Sequence, residues 1–329
     1  MTQPLLSPGN RPITYLRISI TDRCDMRCTY CMPAEGLEFL PHDAYMTNEE
    51  IVRVARVAAT MGVAKIRLTG GEPLVRPGLV DLVREIAALP GIREVALSTN
   101  AHKLERYAQP LAAAGLKRVN ISLDTLDAHR FAQITRGGSL VRVLAGIEAA
   151  EKAGLTPVKI NAVVMKGLND DQIVPLVAMG VRRNWQVRFI EYMPIGCAAG
   201  LWEQFFVPAD EILGRVRESF PLEPMPMRHG DPARLYRVQG STASVGVITP
   251  VTQHFCDSCN RMRLTADGKI RSCLLVQGEA DLKGRMRAGC TDEEIASLLA
   301  RAAALKPEWH GVTPGGFSDA TLAMREIGG

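Results

Sequence analysis

A chain of 329 residues, 47% hydrophobic and 22% charged, is long enough for a sizeable core and has the balance of an ordinary soluble globular protein. Its formal net charge of +4 is too small to argue for nucleic acid, so any anion binding must come from where the basic residues sit. The first twelve residues carry Pro4, Pro8, Gly9 and Asn10 but no apolar core of a signal peptide, and no run of eighteen apolar residues follows, so no membrane association is expected and the expected compartment is the cytoplasm. In a reducing compartment eight cysteines do not suggest a disulfide framework. Six of them fall into two tight groups, which suggests metal.

Short apolar-rich runs at 14–21, 64–70, 94–100, 118–124, 157–165 and 186–193 alternate with amphipathic stretches and predict six β/α units. Such units imply a parallel sheet with right-handed crossovers, either open and doubly wound or closed toward a barrel. A parallel strand covered on both faces reads as an almost continuous apolar run. Several of these do not. Tyr15, Arg17, Ser19 and Thr21 alternate with Leu16, Ile18 and Ile20; Lys65, Arg67 and Thr69 with Ala64, Ile66 and Leu68; Asn120, Ser122 and Asp124 with Val119, Ile121 and Leu123; Lys159 and Asn161 with Val158 and Ile160. If the apolar faces meet the helices, the polar faces converge on a wet interior, which favours a barrel with a binding lumen.

Between the first strand and a helix starting near Asn48 lies Cys24-x3-Cys28-x2-Cys31, in a connection long enough to be functional. Three thiolates can ligate three corners of a cubane iron-sulfur cluster and leave one iron open. The rival is structural zinc, which needs a fourth ligand that no nearby His or Cys supplies. The helix is introduced by a capping box, Thr47 with Glu50, and carries Ile51, Val54, Ala55 and Ala58 at helical spacing. After Phe220 the chain turns Pro-rich (Pro221, Pro224, Pro226, Pro232), then β-like through 245–251 and 261–274, so the expected division is a core over 1–220 and a smaller region over 221–329. Here Cys256-x2-Cys259-x13-Cys273 repeats the three-ligand logic, with His254 as a possible fourth ligand for zinc. A last helix is capped by Thr291 with Glu294, and the chain ends Gly328-Gly329.

Cys24-Asp25-Met26-Arg27-Cys28-Thr29-Tyr30-Cys31 resembles the cluster loop of the radical S-adenosylmethionine superfamily, and Leu68-Thr69-Gly70-Gly71-Glu72-Pro73 resembles its Gly-Gly-Glu segment. This resemblance implies an incomplete (β/α)6 barrel of TIM type, a 4Fe-4S cluster on Cys24, Cys28 and Cys31, and S-adenosylmethionine chelated to the open iron and split to a 5'-deoxyadenosyl radical. From about Leu16 to Gly329, including Asn260 to Lys269 and Phe189 to Gly196, the chain is similar to the GTP 3',8-cyclase family of molybdenum-cofactor biosynthesis. That likeness implies a second 4Fe-4S cluster on Cys256, Cys259 and Cys273 in the C-terminal region. It implies GTP contacts by Arg17, Lys65, Arg67, Thr99, Lys159, Arg188, Arg261 and Arg263, and S-adenosylmethionine contacts by Tyr30, Gly71, Ser122 and Met193. Arg17 and the Gly328-Gly329 tail join the first cysteines as residues needed for activity.

The implied reaction takes the ribose 3' hydrogen of GTP, joins C3' to guanine C8 and yields (8S)-3',8-cyclo-7,8-dihydroguanosine 5'-triphosphate, the first step of molybdenum-cofactor biosynthesis. An external one-electron reductant, a downstream cyclic pyranopterin monophosphate synthase and a homodimer are the implied partners. Independently of any family, cations inside a barrel are costly unless an anion such as a triphosphate meets them. Internal salt bridges would need more strand-borne acids than Asp124 and Glu191. Two other readings are a peptide-modifying enzyme of the same superfamily, whose larger cysteine-rich C-terminal motif is absent, and a zinc-stabilised nucleic-acid binder. Asp25-Met26 departs from the usual Asn-apolar pair without touching the ligands, and Cys197 and Cys290 take no assigned role.

Overall fold

The computed structural model describes residues 3–195, 200–227, 230–276 and 278–313. Six parallel strands follow one another in chain order across a sheet: β1 (Tyr15–Ser19), β2 (Lys65–Thr69), β3 (Glu94–Thr99), β4 (Arg118–Ser122), β5 (Lys159–Val164) and β6 (Gln186–Glu191). The order never reverses, as it must in a doubly wound sheet. The later strands β7 (Leu222–Pro224), β8 (Ala233–Val238), β9 (Ser244–Ile248), β10 (Arg261–Leu264), β11 (Lys269–Arg271) and β12 (Glu279–Asp281) extend this same sheet at both ends. Strand β10 runs parallel beside β1 and β9 parallel beside β6, and each carries antiparallel neighbours outward to the edge. The β-like stretch read over 261–274 is thus two short strands, broken at Gly268, whose φ of 83° suits glycine.

The helices that cover the sheet are cut by the signals the sequence carries. Helix α1 (Asn48–Thr60) begins with the Thr47/Glu50 capping box, both of its hydrogen bonds formed, and buries Ile51, Val54, Ala55, Val57 and Ala58. Helices α2 (Leu79–Ala87), α3 (Leu104–Ala113), α4 (Ala128–Thr135), α5 (Leu140–Lys152) and α6 (Ile173–Arg183) follow their strands. Beyond β6 come α7 (Trp202–Phe205), α8 (Ala209–Arg217), α9 (Leu282–Arg287) and α10 (Asp292–Ala304), the last opened by the predicted Thr291/Glu294 box. Leu16, Ile18, Ile66, Leu68, Val119, Ile121, Val158 and Ile160 join these helices in one continuous core. Their strand neighbours on the other face are therefore turned away from it. No described helix is long and apolar enough to cross a membrane.

Glu191 ends β6 fully buried, and among the described residues its carboxylate is met by backbone N–H groups and the Thr252 hydroxyl. Its carboxylate accepts from the backbone N–H of Ala209 at the start of α8 (3.1 Å), and from those of Val251 (3.0 Å) and Thr252 (3.1 Å) beyond β9. It ties the C-terminal end of the sheet to two loops. Glu191→Ala is expected to lower the unfolding free energy by about 3 kcal/mol or more, because three N–H donors lose their acceptor, with partial recovery in Glu191→Gln. Urea titration of the two variants checks this, and an unchanged midpoint contradicts it.

Candidate functional site

The 20–47 connection after β1 is pinned at several points. Asp22 accepts from the Leu40 N–H (2.8 Å) and the Tyr45 hydroxyl, closing the loop on itself. Arg136, in a left-handed conformation just past α4, donates to the carbonyls of Met32 (2.8 Å) and Arg27 (3.2 Å), while the N–H groups of Arg27 and Thr29 reach back to Thr135 and Ile134. The Gly70-Gly71-Glu72 segment lies against the loop's base: Gly71 N–H donates to Thr21 O (2.7 Å) and Glu72 N–H to Arg23 O (2.8 Å). A Cβ on Gly71 would stand 2.3 Å from Arg23 O, so only glycine permits this approach. Glu72 itself is buried and accepts from Leu74 N–H, Thr99 Oγ1 (2.7 Å) and Asn100 N–H (2.7 Å). Burial pushes its carboxyl up to about 7 against those three hydrogen bonds.

Both cysteine groups open onto one cavity of about 340 Å³. Cys24, Cys28, Cys31, Cys256, Cys259 and Cys273 all line it, together with Arg17, Arg261, Arg263, Tyr30, Gly71, Thr99, Ser122 and Met193. Fourteen of the sequence-predicted residues are brought together. Lys65, Arg67, Lys159 and Arg188 are not on that lining. They lie on the same strands toward their N-terminal ends: Lys65 pairs with Glu94 (2.9 Å) and stands with Arg67 over the ring of Tyr15, while Arg188 pairs with Asp231 (3.1 Å). The acids that answer the basic layer are therefore Glu94 and Asp231. Asp124 instead accepts from the Tyr30 hydroxyl (2.8 Å) and Val163 N–H (2.9 Å). Gly328, Gly329 and Cys197 lie outside the described residues.

The register explains the concentration of charge. Arg263 on β10, Arg17 on β1 and Arg67 on β2 are direct cross-strand neighbours. Burial holds Arg17 well below the usual arginine range, and the Arg263, Arg67 and Arg261 guanidiniums push it further the same way. Arg263 is lowered to about 10 by burial and then by Arg261, and Lys159 to about 7 by burial and then by Arg188 and Arg118. Like charges are crowded here, and an anion would relieve them.

Burial raises the thiols of Cys24, Cys28 and Cys256, and Cys259 departs from them. Burial pushes Cys24 up to about 12, with the Glu72, Cys31 and Asp25 charges adding to it, and Cys28 rises for similar reasons beside Cys31 and Asp124. Burial also raises Cys259, but Arg261 and Lys306 outweigh it and bring the thiol down to about 6. Among the described residues no three His, Cys, Asp or Glu side chains converge as donors to one ion, as zinc with its 2.3 Å Zn–S bonds would require. Three thiols on one cavity match in number the protein ligands of a cubane cluster with one open corner, in which each thiolate takes a different iron. His254, the rival zinc ligand, stacks on Trp309 (ring centroids 5.6 Å apart), and it is His310 that reaches the cavity.

Sequence reasoning did not single out Asn100, Lys306 or His310 on the lining. Asn100 follows β3 and donates to Asp25 (2.8 Å), with Cys24 Sγ at 3.9 Å. Lys306 and His310 lie in the loop after α10, where no motif signals them.

Residues 18–179 match the radical SAM superfamily and residues 185–312 match Molybdenum Cofactor Synthesis C. The chain is similar to the GTP 3',8-cyclase of Moorella thermoacetica (51% identity over 97% of this chain and 98% of that one) and to that of Pelotomaculum thermopropionicum (49% over 97% and 98%). In three dimensions it is similar to Streptococcus suis SuiB bound to S-adenosylmethionine, with a TM-score of 0.58 at 16% identity over 90% of this chain and 68% of that one, a likeness of fold.

The glycine contact gives a direct expectation. Gly71→Ala is expected to displace the 21–23 backbone and at least halve the iron bound through the first cysteine group after anaerobic reconstitution, leaving the second group loaded. Iron analysis of the variant in a Cys256→Ala/Cys259→Ala/Cys273→Ala background isolates the first group, and full loading there contradicts the account.

Proposed function

We propose a mechanism for this chain from one premise: it belongs to the GTP 3',8-cyclase family of the radical SAM superfamily. Its activity is GTP 3',8-cyclisation, the entry reaction of molybdenum-cofactor biosynthesis. The observation that carries the mechanism is the shared cavity, faced by two thiol triads and by Arg17, Arg261 and Arg263.

The unreversed strand order, with one face of successive strands lining one cavity, supports the incomplete (β/α)6 barrel. Cys24, Cys28 and Cys31 would hold one 4Fe-4S cluster and Cys256, Cys259 and Cys273 a second, each with a corner free toward the cavity. When bound, the first cluster and S-adenosylmethionine would supply the one-electron cleavage chemistry that allows removal of the ribose 3' hydrogen and bonding of C3' to guanine C8, with a further electron from the external donor and a proton completing (8S)-3',8-cyclo-7,8-dihydroguanosine 5'-triphosphate. The chain's own residues do the positioning. Tyr30, fixed by its hydrogen bond to Asp124, Gly71, Ser122 and Met193 would seat S-adenosylmethionine. Arg17, Arg261 and Arg263 would meet GTP at the cavity, with Lys65, Arg67, Lys159 and Arg188 extending the positive field and Thr99 holding Glu72 in place.

Tyr192, Ile195 and Leu275 belong to a compact apolar cluster with Trp202 and Val251 and also line the cavity, which keeps water from the reacting atoms. The remaining roles follow the family: an external one-electron donor, a downstream cyclic pyranopterin monophosphate synthase, a cytoplasmic homodimer, a 1–220 core with a 221–329 C-terminal region, and a Gly328-Gly329 tail needed for turnover.

Anaerobic incubation with S-adenosylmethionine, GTP and a strong reductant tests the division of labour. Cys24→Ala is expected to form no 5'-deoxyadenosine. Cys256→Ala is expected to lose the cyclised product while keeping some uncoupled cleavage, because the second triad orients the guanine, where small displacements are expensive. Normal cyclisation by Cys256→Ala would reduce that triad to a structural role.

Lys159 supplies a second test. Held at about 7, it is partly neutral near neutral pH, and a triphosphate beside it favours its charged form. GTP binding is therefore expected to take up a proton between about pH 7 and 9 and to weaken as pH rises through that window, with the uptake lost in Lys159→Arg, which is charged throughout. Calorimetry in buffers of different ionisation enthalpy reads the proton count; no uptake in the unmodified chain contradicts the placement.

A further inference from the structure

Lys306 is 4% exposed, yet it is an ammonium at the wall of a cavity. It lies just past α10, where Pro307 prevents the helix from continuing. Its Nζ donates to the carbonyl of Arg261 (2.9 Å) and to that of Ser272 (2.7 Å). These acceptors are not arbitrary: Arg261 is two residues past Cys259, and Ser272 immediately precedes Cys273.

The antiparallel ladder of β10 and β11 pairs Arg263 with Arg271 and Leu264 with Ile270 and then stops. Carried on, that register would set Met262 opposite Ser272 and Arg261 opposite Cys273. Lys306 inserts where the ladder ends and supplies two hydrogen bonds between the diverging arms. The third arm is joined at the next residue: Arg11 donates to Pro307 O (3.0 Å) with one guanidinium nitrogen and to Cys256 O with the other. The 306–307 turn thus links all three cysteine arms, although it lies far from each in sequence.

We infer that Lys306 is the positioning residue of the second cysteine triad: its ammonium fixes the separation of the Cys259 and Cys273 arms and places one buried positive charge beside an anionic cluster. The inference rests on the reading of that triad as a cluster site. An ammonium has three donors and the two carbonyls use two, so one N–H is left over and the charge stands on the cavity lining that the thiols share. A fixed cation near a cluster favours its more reduced, more negative state.

The test uses the full chain with Cys24, Cys28 and Cys31 changed to Ala, so that only the second triad can load. Iron analysis of this parent comes first, with about four irons expected. An iron-free parent would remove the cluster reading, and the inference with it, before Lys306 is altered. In that background Lys306→Met is expected to lose iron to a ferrous chelator about tenfold or more faster and to shift the cluster's reduction potential to more negative values, whereas Lys306→Arg, which keeps the charge, returns the potential toward the parent's. Lys306→Met with the parent's chelation rate and potential overturns the inference. Should circular dichroism show that the Met variant does not fold, Lys306→Gln, which keeps N–H donors but no charge, is read by its potential. A value equal to the parent's again overturns it.

Discussion

Three arginines abreast in a parallel sheet set the terms for this molecule. Arg263, Arg17 and Arg67 occupy the same cross-strand row on the parallel strands β10, β1 and β2, spaced about 4.8 Å apart, and the row continues to Arg271 on antiparallel β11, which Glu279 answers (3.0 Å). Like charges directly opposite one another destabilise a sheet, and here they are also largely buried, with Arg67 and Arg263 each 9% exposed. The cost is met in part at the periphery of the basic layer, where Glu94 lies between Lys65 and Arg118 and Asp231 answers Arg188. The centre of the row faces the site. A polyanion is what such a surface selects, and the apolar core on the other side of the same strands holds the row in register.

The opposite polarity prevails at the first cysteine triad. Burial raises Cys24 and Cys28, and the charges of Glu72 and Asp25 on the one and Asp124 on the other add to it, whereas Arg261 and Lys306 outweigh burial and lower Cys259. On the proposed reading, the first triad's side takes the sulfonium cation and the basic side the nucleoside triphosphate. Both triads line one cavity, so on the proposed reading the two ligands would face one another across it. Orientation of that kind is the larger part of what a protein contributes when the reactive chemistry belongs to its cofactors.

The half of this arrangement that depends on local pattern was legible in the sequence. Period-two alternation showed which side of each strand was polar, two capping boxes fixed where α1 and α10 start, and the cysteine spacings marked the two sites. The other half depends on register and height. Strand parity tells which face Lys65 and Lys159 share but not that they lie below the lining residues, because position along the strand relative to the cavity is set by neighbouring strands. Glu94, the first residue of β3, meets Lys65 only because the two are cross-strand neighbours. The 221–329 segment reads locally as a separate region; its strands reach both ends of one sheet because β10 pairs with β1, a contact between opposite ends of the chain. Lys306 shows the same limit, since a lysine after a helix has no local signature for carbonyls on two distant strands.

The central claim is that the first triad and the basic row serve one reaction in one cavity. GTP carrying deuterium at ribose C3', turned over anaerobically with unlabelled S-adenosylmethionine, tests this by following the atom that must cross between the two ligands. The account predicts 5'-deoxyadenosine carrying one deuterium, formed together with cyclised product. Product accompanied by 5'-deoxyadenosine without deuterium would contradict it, because the hydrogen removed would then not be the one that the shared cavity presents.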